Sequence, residues 1–210
     1  MKFPRLAGLF AALPDAVTSA AFLCAWIAPL QFDNGMVKSL MLMLLMEFLV
    51  VHSGGFIGLT VLSDTVTRRA KTAAIVGFGA FYLLFAGAFS LAFNSWWPVV
   101  SFLWLLAAKF AQVWLIPLPR ADEAQRQTTL WGLSVVAYLA TVFAGILLPV
   151  PALGVSADII PRLGLSGGGL WIDRPETALA SGMLYFAALA WSKWAYRPEW
   201  AKNFRPTRTS

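Results

Sequence analysis

The chain has 210 residues, 59% hydrophobic and only 12% charged, with a mean hydropathy of +0.70. Soluble domains carry about 25% charged residues, so this composition excludes an ordinary water-soluble enzyme, a disordered tail and a nucleic-acid-binding module. A single cysteine, Cys24, excludes an internal disulfide and a Cys-based metal cluster, and the net charge of +6 is read as the Lys/Arg excess that membrane proteins keep on their cytoplasmic side.

A bilayer core of about 30 Å takes about 20 apolar residues as a helix. Backbone groups in lipid must be satisfied within their own segment, and the chain has no ten-residue apolar/polar alternation of the barrel kind. The expected fold is all-α: six transmembrane helices within 15–196, a short interfacial helix over 1–14, and a basic cytoplasmic tail over 197–210.

In residues 1–14, Phe3, Leu6, Phe10 and Leu13 recur at helical spacing beside Lys2 and Arg5, which suits a helix lying in the membrane interface. Pro14 is expected to end it, with Asp15 capping the next helix. Span one is 15–30, short enough to put Asp15 at the interface. Span two is 38–62 and contains Glu47, His52 and Ser53. A polar turn covers 63–71, and span three covers 72–93. Asn94-Ser95-Trp96-Trp97-Pro98 reads as a tight turn rich in interfacial tryptophan. Span four is 99–118, with Lys109 and Gln112. A charged loop over 119–127 precedes span five at 128–150. A Gly- and Pro-rich loop over 151–175, expected to be a flexible outer cap, precedes span six at 176–196.

Six spans put the chain ends and the second and fourth loops on one side. That side carries Lys2, Arg5, Arg68, Arg69, Lys71, Arg120, Arg126, Lys193, Arg197, Lys202, Arg205 and Arg208, against Lys38, Arg162 and Arg174 on the other. The asymmetry predicts both ends in the cytoplasm and a multi-pass protein of the cell inner (plasma) membrane. In the tail, Arg197, Lys202, Arg205 and Arg208 among aromatic residues suit lipid headgroups.

Charge in lipid costs about 2.5–3.5 kcal/mol, so Glu47 and Lys109 are the most informative residues. Each lies about 13–15 Å along a helix entering from the outer side, and they are expected to pair, as a register device or as part of an ion-relevant site. His52 is read as a neutral imidazole bonded to Gln112 or to a backbone carbonyl; a proton relay or a tetrapyrrole ligand are the sharper readings. No other cofactor and no metal are expected.

Gly54 and Gly58 form a G-x-x-x-G that lets another helix approach. The run Ser53-Gly54-Gly55-Phe56-Ile57-Gly58-Leu59 resembles the Ser-Gly-x-x-x-Gly-Leu segment of rhomboid intramembrane proteases, six-helix proteins whose serine is activated by a later histidine. Here Val51 stands where that pattern has glycine, and no histidine follows Ser53, so helix packing is the expectation. Leu44-Leu45-Met46-Glu47 resembles the mid-membrane Tyr-Trp-x-Glu-Asn helix of an uncharacterised bacterial integral-membrane family, which implies no known activity.

These residues lead to an accessory or structural subunit of a membrane complex, with lipids and other membrane subunits as partners and no catalytic constellation. The alternatives are a small proton- or ion-coupled transporter using Glu47, Lys109 and His52, and a membrane-embedded lipid-modifying enzyme.

Overall fold

A computed structural model of the chain describes residues 3–31, 35–115, 121–165 and 168–196, with side chains from Gly8 onward. Among them the regular elements are helices. They are α1 (Phe3–Ile27), α2 (Met36–Ser53), a π-helical turn (Gly54–Gly58), α3 (Leu59–Leu62), α4 (Arg68–Ala92), α5 (Trp97–Trp114), α6 (Ala121–Leu147), a 3-10 turn (Ile160–Leu163), α7 (Leu170–Asp173) and α8 (Pro175–Ala195).

Five stretches are long and apolar enough to cross a membrane: Gly8–Ile27, Met36–Leu62, Arg68–Ala92, Trp97–Trp114 and Ala121–Leu147. Their surfaces are apolar: Leu84 is 72%, Leu91 74% and Trp104 78% exposed. α8 stands outside this set for a physical reason. It packs against α1, α6 and α2, and its first half is buried from Pro175 to Gly182. A helix wrapped by other helices needs small residues for close approach rather than bulk for contact with lipid. Ala178, Ala180, Ser181 and Gly182 supply them. A β-carbon on Gly182 would collide with the Phe22 ring of α1, and one on Gly145 of α6 would meet Ser181 and Thr177.

The separate interfacial helix over 1–14 is not formed; α1 runs unbroken through Pro14. Proline costs one backbone hydrogen bond and a clash with the preceding turn. Packing along α8 holds the helix straight enough to absorb that loss: Gly8 lies against the Trp194 backbone and Phe22 stacks on Phe186 at 5.6 Å. Asp15 is therefore midway along a 25-residue helix and caps nothing. A second boundary also moves. α6 begins at Ala121, inside the segment expected to be a charged loop, because Asp122 and Glu123 in its first turn complement the helix dipole.

α4 and α5 form a hairpin that touches the rest through α2, the π turn and α3. Thr67 caps α4, its hydroxyl accepting from the Ala70 amide at 3.3 Å. Buried Lys71 reaches back to donate to the Val61 carbonyl at 2.8 Å. A cation there suits the carbonyl end of α3.

The described residues of the 151–175 stretch are docked rather than a free cap. The Gly154 amide donates to the Trp26 carbonyl at 3.1 Å, and the Trp26 indole donates to the Pro151 carbonyl at 2.9 Å. A β-carbon at Gly154 would strike the Ile27 carbonyl, so only glycine fits. Val155 and Leu163 are buried in the main core, with Ile159, Ile160 and Leu165 packed on it. Asp158 accepts from the Ser156 hydroxyl at 2.6 Å rather than forming an ion pair with Arg162.

Candidate functional site

Helix α2 has two working faces. Leu44 and Val51 face the core with Tyr138 of α6 and Tyr185 of α8. Met46 and Leu49 face Tyr82 and Ala86 of α4 and Phe102 of α5. At about 100° per residue, Glu47 falls on the edge of the first face, about 40° beyond Val51 and about 60° from Leu44.

The contacts overturn the expected Glu47–Lys109 pair. Glu47 accepts a hydrogen bond from the Tyr185 hydroxyl at 2.9 Å, and the charges acting on it are those of Asp15 and Lys193. Lys109, on α5, lines a cleft with Gly54, Gly58, Leu59 and Leu62, seven or more residues farther along the rod than Glu47. The equal depth expected of the two is not what the helices give: α5 is offset along the rod, with Phe102 beside Met46 and Leu49 and Val113 beside Ile57 and Val61.

Asp15 and Lys193 form an ion pair that joins α1 to α8, with the ammonium 2.6 Å from Oδ2. Its alignment is off the axis of a hydrogen bond, so the attraction is chiefly Coulombic. Asp15 is buried and about a third of the Lys193 side chain is open. Around Glu47 the centre is completed by Tyr138, whose ring meets Tyr185 edge-on at 5.4 Å and whose hydroxyl donates to the Leu44 carbonyl at 3.2 Å. The cluster therefore has two carboxyls, two phenols and one ammonium.

One heptad along, the Trp131 indole donates to the Val51 carbonyl at 2.8 Å. Leu44 and Val51 are seven residues apart, as are Trp131 and Tyr138, and the pairs run in opposite order, as antiparallel helices require. Each α2 carbonyl has a second lone pair to spare for this contact. The indole lies on the π turn, where a β-carbon at Gly55 would come 2.7 Å from the ring and one at Gly54 3.2 Å. Gly58 has nothing within 4 Å of such a carbon, so the close approach uses the Gly54–Gly55 pair and a ring, rather than Gly54 and Gly58 and a second helix backbone.

His52 takes the backbone arm of its expected reading: Nδ1 donates to the Phe48 carbonyl at 2.8 Å, and the two rings lie 4.0 Å apart. The acceptor is a carbonyl, so Nδ1 carries the proton. Gln112 is not its partner. Ser53 donates to the Val50 carbonyl of its own helix at 3.3 Å and is buried, with no base beside its hydroxyl among the described residues. Lys109 lines a cleft with the π turn and the start of α6. Arg197, Lys202, Arg205 and Arg208 lie outside the described residues.

Asp15, Lys193, Tyr138, Tyr185 and Trp131 are the site members that sequence reasoning misses. Position along the chain puts Asp15 and Lys193 at interfaces, and a tyrosine in an apolar run carries no signal until a carboxylate is known to face it. Comparison with protein-family models, with curated proteins and with solved structures finds no match to this chain.

Proposed function

We propose that the chain is a multi-pass membrane protein with six crossings (α1, the α2–α3 rod, α4, α5, α6 and α8), both ends on the Lys/Arg-rich cytoplasmic side of an inner membrane, and that it serves as a packing subunit of a membrane assembly. The apolar exterior and the internal placement of its charged groups support the membrane reading. The observation that carries the subunit reading is a groove of about 460 Å3 on α4, floored by Ala73, Ala74 and Gly77 and walled by Phe56, Phe78 and Phe81. Lipid tails are as apolar as any side chain, so association between helices depends on such shape, small residues beside large ones. The test is the mass of the protein gently extracted from its own membrane. An assembly larger than the 22.9 kDa chain that dissociates on Gly77→Leu supports the reading, and a monomer overturns it.

A second reading, a proton- or ion-coupled carrier, is favoured by the Asp15–Glu47–Lys193 cluster, where carboxyls outnumber ammonium and a cation or proton would restore balance. Here Tyr185 and Lys193, rather than Lys109 and His52, accompany Glu47. Flux into proteoliposomes that is lost on Glu47→Gln would favour it; unchanged flux would remove it.

A further inference from the structure

Lys109 is an ammonium that the bundle leaves without a counter-charge. Among the described residues it makes no ion pair or hydrogen bond, and it is half-buried. It lies five residues before the end of α5 at Trp114, about 7.5 Å inside that end. The same end carries Lys71 and Arg68, whose guanidinium stands 5.8 Å from the Trp114 ring.

Lys109 lines a cleft of about 140 Å3 together with Leu59, Leu62, Gln127, Thr128 and Trp131. That cleft shares Leu59, Leu62 and Thr128 with a wider crevice of about 540 Å3 bordered by Asp64 and Gln125. The two form one path between the α2–α3 rod and α6. Leucines line it throughout, amides and a hydroxyl flank it, a cation sits at its narrow end and a carboxylate at its wide end. The Gln127 amide is already committed to Glu123 at 3.2 Å, which leaves Lys109 as the strong donor. Two chemistries meet in this lining. Leucine needs an alkyl chain, and an unpaired ammonium needs an anion brought to it without its full hydration shell.

We infer that the crevice holds a phospholipid of the leaflet on the Lys/Arg-rich side, with its phosphate on Lys109, an acyl chain along Leu59 and Leu62, and an amine-bearing headgroup toward Asp64. Phosphatidylethanolamine carries both charges in that order, and its primary ammonium can donate to the carboxylate. This rests on the membrane reading above, and fails separately from it. A chain that fractionates with membranes but does not select the lipid loses only this inference.

The experiment is the thermal midpoint of the full chain in detergent with added phosphatidylethanolamine, the diacylglycerol of the same chains, or inorganic phosphate, together with native mass spectrometry of retained lipid. Phosphatidylethanolamine should raise the midpoint, and the other two should not. Lys109→Met should lower lipid retention about fivefold, and Lys109→Arg should keep it. If Lys109→Met does not fold, Lys109→Gln against Lys109→Arg gives the same comparison. Retention unchanged in the neutral variant overturns the site. So does a diacylglycerol that serves as well as the phospholipid, or inorganic phosphate that serves alone.

Discussion

The Lys193 ammonium, near the end of α8, meets the carboxylate of Asp15 at the midpoint of α1. Removing one member of such a pair strands the other charge among apolar helices, whereas removing both leaves no charge to bury. Asp15→Ala should therefore destabilise by about 2 kcal/mol, below the range for fully buried pairs because part of Lys193 is open. Asp15→Ala with Lys193→Met should cost less than Asp15→Ala alone. Thermal unfolding of the detergent-solubilised variants checks the order; a double variant worse than the single one would refute it.

Glu47 and Tyr185 form a second, separable contact. Tyr185→Phe should cost about 1–3 kcal/mol by leaving the Glu47 oxygen short of a donor. Glu47→Gln keeps an acceptor for the hydroxyl and should cost less. Because Glu47 bonds Tyr185 while Lys109 lies beside Gly54, Gly58 and Leu62 farther along the rod, Glu47→Ala and Lys109→Ala should add to within about 0.5 kcal/mol. A double-mutant cycle that finds larger coupling would mean the two side chains meet.

The π turn gives a contrast between neighbouring glycines. Gly55→Ala drives a methyl into the Trp131 ring and should cost about 1–3 kcal/mol. Gly58→Ala meets open space and should be neutral or stabilising, since glycine in a helix costs about 0.5–1 kcal/mol relative to alanine. Trp131→Phe should remove the bond to Val51 and relieve the Gly55→Ala penalty in part. The unfolding midpoints of the four proteins test this.

One pH effect lies outside the helices. The Ser156 hydroxyl holds the Asp158 carboxyl below the usual carboxylate range, helped by the local backbone and the Arg162 charge. A folded-state value below the unfolded one means the contact is present above about pH 4 and is lost as pH falls through the folded value. Amide-exchange protection across residues 156–162, taken relative to the intrinsic rate at each pH, should fall on acidification, and Ser156→Ala should flatten that dependence.

Much of the helical layout is legible because apolar length is a strong signal, and the Met36–Leu62 rod lies where the sequence puts it, while the turn before α5 closes earlier, with Trp97 and Pro98 already in the helix. The missed features depend on tertiary context. Pro14 reads as a stop, but α8 holds the helix through it. Asp15 reads as a cap until that helix is seen to be continuous. Glu47 and Lys109 stand at similar distances from the starts of their helices, but α5 is offset along α2, so Lys109 comes level with the π turn and not with Glu47. α8 is legible as a helix from its length, while its central role is carried by small residues whose meaning depends on what packs against them.

The pairing of α1 with α8 also bears on biosynthesis. These two helices are each other's most extensive neighbours, although nearly the whole described chain separates them. Ribosomal synthesis delivers α1 long before α8, so Asp15 must wait, uncompensated, while α2 to α6 emerge. A nascent chain halted before Pro175 would expose the slot along Phe22 and an unneutralised carboxylate together, features by which membrane quality-control proteases could tell an unfinished product from a finished one.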